Sequence, residues 1–209
     1  MQKQVLFPGP AGQIEGFLAV PDGDGPFPAV VVCHPHPQYG GSSDNNVVAS
    51  ICGGAFRNGI ATLRFNFRGV GASAGGFDGG NGEQQDVVAA LNFLAAHPQI
   101  DAQRIGLAGY SFGAGVSARA ASGREGLKAL MLVSLPVRAT EGMLTDAAMP
   151  KLFMVGSDDH IVAADKLNEF AAGLTPAPQI IVVPNSDHFW GGFERQIVEA
   201  AGEFFASNL

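Results

Sequence analysis

Arg104-Ile105-Gly106-Leu107-Ala108-Gly109-Tyr110-Ser111-Phe112-Gly113-Ala114-Gly115-Val116 reads as a strand, a tight turn and the start of a helix. Arg104–Tyr110 is short and mostly apolar, which predicts a buried strand, and Gly113–Ala121 continues as a helix. Between them stands Gly109-Tyr110-Ser111-Phe112-Gly113, a G-x-S-x-G turn. In that position the turn lifts the serine hydroxyl above the edge of a sheet. Its glycines are required because so tight a turn brings neighbouring elements too close for a Cβ. The helix that follows aims its N-terminal amides at the same place and favours developing negative charge there. Ser111 is therefore the candidate nucleophile; the competing reading is a serine that caps a helix in a glycine-rich turn.

The same alternation extends in both directions. Upstream, two short β segments, Gln4–Phe7 and Ile14–Val20, flank the turn Pro8–Gly12. The Val-rich run Pro28–Cys33 is too short for a core helix and reads as a strand buried on both faces. Asn45–Arg57 is helical and ends at Gly59, Ile60–Phe67 is a strand, and Glu83–Ala96 is a helix closed by Pro98. Downstream come the strand Leu127–Leu135, the strand Lys151–Gly156, the helix Ala163–Leu174, the strand Gln179–Pro184 and the helix Glu194–Ser207. Alternating helices and uniformly apolar strands predict an α/β fold, with a mostly parallel sheet covered on both faces. Ligands in such folds sit beyond the carboxyl ends of the strands.

A length of 209 residues fits one domain, residues 1–209. The net charge of −7 and the lack of any Lys/Arg run make nucleic acid and anionic membranes poor partners. Acidity by itself signals little beyond solubility. Cys33 and Cys52 lie in apolar runs and are expected to be buried free thiols. Neither a signal-peptide segment nor an apolar run of membrane-spanning length is present, so a cytoplasmic protein is expected. Gly69–Gly76 superficially resembles a phosphate loop, but it lacks the Gly-Lys-Ser/Thr ending and no helix opens after it. No zinc spacing or calcium loop occurs, so no metal and no cofactor are expected.

A serine needs a base within hydrogen-bond reach. Of five histidines, His188 lies just after the last strand and completes the order Ser…Asp…His. His97 reads as a surface residue near a helix end, and the side chains of His34 and His36 as loop scaffolding. For the carboxylate that orients the base, Gly156-Ser157-Asp158-Asp159 follows a strand and offers two choices. Asp159, three residues after the glycine, is preferred; Asp158 reads as a turn residue, and Asp187 is too close to the histidine to turn back onto its ring. Two oxyanion donors are also needed. One is the amide of Phe112. The second falls in Cys33–Gly41, where Pro35 and Pro37 have no N–H, leaving His36 with Tyr39 as the alternative.

These marks, with His34-Pro35-His36-Pro37…Gly40-Gly41, Arg64-Phe65-Asn66-Phe67-Arg68-Gly69-Val70-Gly71 and Ser186-Asp187-His188-Phe189, resemble the α/β-hydrolase superfamily over about residues 14–207. The closest likeness is to its small cap-less branch, similar to dienelactone hydrolases. The resemblance implies an eight-stranded, mostly parallel sheet with one antiparallel strand near the start, and esterase-like activity without a cofactor. It departs at the elbow, where dienelactone hydrolases carry cysteine and this chain has Ser111. That points to ester or thioester cleavage. Only Pro136–Pro150 occupies the place of a lid, enough for a short helix but not a cap domain, so an open site for small or short-acyl substrates is expected. The expected function is a serine esterase acting on a small-molecule ester. Thioester hydrolysis, peptidase action, and a catalytically silent binding protein of the same fold are its rivals. A histidine base must be neutral, so activity should fall where an ordinary imidazole takes up a proton, near pH 6–7.

Overall fold

The computed structural model describes residues 2–140 and 142–209. Eight strands form one sheet: β1 (Gln2–Gly9), β2 (Gly12–Ala19), β3 (Phe27–Cys33), β4 (Ala61–Phe65), β5 (Ile100–Tyr110), β6 (Leu127–Val133), β7 (Lys151–Gly156) and β8 (Gln179–Val183). Their spatial order is β1-β2-β4-β3-β5-β6-β7-β8. β2 is antiparallel to both of its neighbours and every other pairing is parallel, so the α/β-hydrolase sheet with its single reversed strand is met.

Five helices cover the sheet: α1 (Asn46–Arg57), α2 (Asn81–Ala95), α3 (Phe112–Ala121), α4 (Ala164–Ala172) and α5 (Glu194–Asn208). Side chains alternate across a strand, so each central strand feeds two cores. Ala29, Val31 and Cys33 of β3 join the layer under α2, α3 and α4, with Leu91, Ala114 and Leu167. Val30 and Val32 join the layer under α1 and α5, with Ile51, Ile197 and Phe205. On that second face α1 and α5 touch closely: a Cβ at Gly54 would strike the carbonyl of Val198.

Element ends differ from expectation for local reasons. Past the end of β4 the Asn66 N–H still reaches β2, donating to Glu15 O (2.9 Å), but the Phe67 N–H turns away to His34 Nε2 (3.0 Å) and the pairing ends. α2 begins two residues before Glu83, whose carboxylate folds back to accept from the amides of Gly80 (2.8 Å) and Asp78 (2.9 Å). β5 reaches back to Ile100, which pairs with Phe27. In the place of a lid, the described residues form only the 3₁₀ turn Val137–Ala139. Among the described residues no helix is long and apolar enough to cross a membrane. Cys33 is buried and Cys52 half-buried; both are free thiols, and burial pushes each up to about 12.

Candidate active site

β5 ends at Tyr110 and α3 begins at Phe112, so Ser111 makes the whole turn, at φ 53° and ψ −119°. An L-residue rarely adopts that conformation, and it persists only where the surroundings impose it. The Ser111 amide donates to Val133 O of β6 (2.9 Å), and its carbonyl accepts from Gly115 (3.1 Å). The flanking glycines are compelled by close approach. A Cβ at Gly113 would run into the carbonyls of Cys33 and His34, and one at Gly109 into the carbonyl of Gly113.

Ser111 Oγ lies 3.0 Å from His188 Nε2, and His188 Nδ1 lies 2.8 Å from Asp159 Oδ2 and 3.0 Å from Oδ1. An ionised carboxylate only accepts, so Nδ1 carries the proton and Nε2 is left to accept from the serine. Both His188 and Asp159 are buried, at 6% and 5% exposure. Asp159 is fixed by its own loop, where Oδ1 accepts from the amides of Ile161 (3.0 Å) and Val162 (2.8 Å). Burial is the largest influence on this carboxyl and opposes ionisation. The hydrogen bonds from His188, the Val162 amide and the Ser134 hydroxyl together prevail and hold it below the usual carboxylate range. The rival carboxylates are engaged elsewhere: Asp158 accepts from the Ser157 hydroxyl (2.8 Å), and Asp187 caps its own turn through the amides of Phe189 (2.9 Å) and Trp190 (3.1 Å).

Three residues not singled out in the sequence support this group. Tyr110 donates its buried hydroxyl to His188 O (2.7 Å) and so fixes the backbone of the loop. Trp190, fully buried, donates Nε1 to Ser134 Oγ (3.0 Å), which leaves the serine proton for another acceptor. Ser134 ends β6 as Ser111 ends β5, and its φ is 48°; Trp190 is at 62°. Only Trp190, the one tryptophan in the chain, carried any signal in the sequence.

The loop after β3 places the other expected residues. His34 is fully buried; its Nδ1 donates to Pro35 O (2.6 Å) while Nε2 accepts from Phe67, so it ties the loop to the end of β4. Burial is the main reason its pKa is pushed down to about 4, against a smaller opposing effect of Pro35. His36 is a scaffold too, its ring 4.6–4.9 Å from those of Tyr39, Phe77 and Phe112. Its backbone is another matter. The amides of Gln38, Tyr39, Gly40 and Gly41 donate within the turn, to His36 Nδ1, His36 O, Pro37 O and His36 O. Pro35 and Pro37 have none to give. Among the described residues, the amides of His36 and Phe112 have no intramolecular acceptor. His97 is half-buried and accepts from Gln99 (3.3 Å), and His160 is exposed.

Ser111 and His188 open into a cleft of about 640 Å3 lined by the β3 loop, by Phe77 and Gly79, by α3, and by Pro136, Ile161 and Phe189. Three of the most exposed large apolar side chains, Tyr39, Ile161 and Phe189, stand on this cleft. Among the described residues, no Asp or Glu lines it. Among the described residues, no three His, Cys, Asp or Glu side chains are grouped to hold a metal ion.

Comparison with known proteins agrees with this architecture. An uncharacterized protein of Rickettsia prowazekii (strain Madrid E) is 34% identical over 96% of this chain and 87% of its own length. An α/β serine hydrolase homologue from Coxiella burnetii superposes with a TM-score of 0.87 at 34% identity over 96% of both chains. A Xanthomonas campestris member of the α/β serine hydrolases described as without a lid gives 0.84 at 32% identity, covering 97% of this chain and 92% of the other. The model of the X-Pro dipeptidyl-peptidase (S15) family matches residues 13–184. That span is most of the chain, and with these neighbours it makes the protein a hydrolase of the α/β-hydrolase fold that belongs to the S15 family.

Proposed function

We propose that this hydrolase cleaves carboxylic esters of small substrates through an acyl-enzyme, with Ser111 as nucleophile, His188 as general base and acid, and Asp159 as orienting carboxylate. The single observation that carries the reading is the unbroken line from Ser111 Oγ through the His188 ring to a buried Asp159, with contacts of 3.0 and 2.8 Å. Ser111 attacks the acyl carbonyl as Nε2 takes its proton; the same nitrogen returns it to the leaving alcohol. The oxyanion accepts hydrogen bonds from the amides of Phe112 and His36, which the loop leaves undonated; Tyr39, whose amide donates to His36 O (3.1 Å), is the weaker choice. Water then repeats the cycle on the acyl-enzyme, so no cofactor is needed.

Family membership favours a second reading, cleavage of an N-terminal dipeptide. An enzyme of that kind has to hold a peptide α-ammonium, and among the described residues no Asp or Glu lines this cleft to do so. Hydrolysis of p-nitrophenyl butyrate, compared with an X-Pro p-nitroanilide, separates the two. Ester turnover that drops by at least about 10³-fold in Ser111→Ala supports the proposal. Turnover of the anilide alone would replace it with the peptidase, and full ester activity in the variant would remove Ser111 from the mechanism.

A further inference from the structure

Gly115 lies inside the ten-residue helix α3, where glycine is less favourable than any residue but proline. Its neighbour Gly113 has a packing reason to be glycine, since backbone carbonyls stand where its Cβ would be. Gly115 has none. Its backbone is not among those with positive φ, and a Cβ there would meet nothing within 4 Å. Yet the residue is buried. Among the described residues it is the one glycine both buried and open at Cβ. Empty space beside a buried backbone is a cavity, and Gly115 lines the cleft that holds Ser111, one helical turn away.

We infer that Gly115 is a specificity-determining residue, holding open a subsite along α3 for the acyl arm of a substrate with a linear, apolar acyl chain of about six to eight carbons. The inference rests on the ester reading and carries it beyond the short-acyl expectation. The leaving alcohol must depart beside His188, which returns its proton, so the reach of the cleft along Phe112, Gly115 and Val116 is left for the acyl side. Helical rise puts Gly115 about 6 Å and Arg119 about 12 Å beyond Ser111 along the axis. An extended chain gains roughly 1.3 Å per carbon, so six to eight carbons end between the two. A side chain at position 115 would fill the space that the third and fourth methylenes need.

The test is a p-nitrophenyl ester series from acetate to decanoate with the wild type, Gly115→Ala and Gly115→Leu, together with octanoate titration of the same three proteins by calorimetry. The expected result is a wild-type optimum at hexanoate to octanoate. The octanoate-to-acetate ratio of kcat/KM should fall at least 30-fold in Gly115→Leu and by a smaller factor in Gly115→Ala, with octanoate binding weakened in the same order. Alanine is the better helix former, so Gly115→Ala should melt no lower than the wild type and serves as the folded control. A ratio within twofold of the wild type in both variants overturns the inference while leaving the ester reading intact. If no ester is cleaved by the wild type, the ester reading fails and octanoate binding decides alone: equal affinity in all three proteins overturns the subsite, and graded loss supports it.

Discussion

Ser111 holds a backbone conformation that only glycine takes without strain. Ser111→Gly should therefore raise the unfolding free energy by about 1 kcal/mol while abolishing ester hydrolysis, as denaturant melts and an activity assay on one preparation would show. His34 carries a second prediction. Burial drives its pKa from 6.5 to about 4, so the folded state binds this proton less readily than the unfolded one. The associated stability is complete above pH 6.5 and is lost as pH falls through the window toward 4, amounting to about 3 kcal/mol in full. His34→Gln should flatten that part of the stability profile measured by urea melts between pH 7 and 4.5; a slope equal to the wild type would show that other groups cause it. At this scale the sequence was legible for His188 and Asp159, because chain order and distance from a strand end single them out. His36 and Tyr39 could not be separated there. Which amide stays undonated depends on how the 3₁₀ turn Pro37–Tyr39 closes, and that turn uses the Tyr39 amide.

Strand ends do the positioning at the scale of elements. β5, β6, β7 and β8 each deliver one loop to the same rim, bearing Ser111, Ser134, Asp159 and His188. Gly113 lets α3 rest on the end of β3, so Gly113→Ala should cost about 2 kcal/mol or more, read as a lowered denaturation midpoint. Trp190 donates to Ser134, which neighbours Asp159, so in the proposed relay the pair would act through Asp159 rather than on substrate. Ser134→Ala and Trp190→Phe should each lower kcat about tenfold with KM nearly unchanged and move the acid limb of the pH–rate profile; an unchanged profile would reduce the pair to packing. Most elements were readable from apolar periodicity, and the ends that moved did so through side chains reaching back to the backbone, as Glu83 does at α2. Ser134 was not readable at all: a serine at a strand end is ordinary, and the left-handed φ that turns its hydroxyl inward leaves no mark in the residue type.

Over the whole molecule, a sheet fed from both faces fixes four loops within hydrogen-bond tolerance of one another, which is what a proton relay across distant parts of a chain requires. The alternation of strands and helices announced that sheet. The shape of the cleft was not announced, since its walls come from the β3 loop, Phe77, α3 and Phe189, which meet only after folding. The central claim is that Ser111 is activated by His188. It is tested most directly by treating the protein with a fluorophosphonate at pH 8 and locating the adduct by peptide mass mapping, in the wild type and in His188→Ala. A stoichiometric adduct on Ser111 is expected, forming at least about 100-fold more slowly in His188→Ala. Labelling at another residue, or at the same rate without the imidazole, would contradict it.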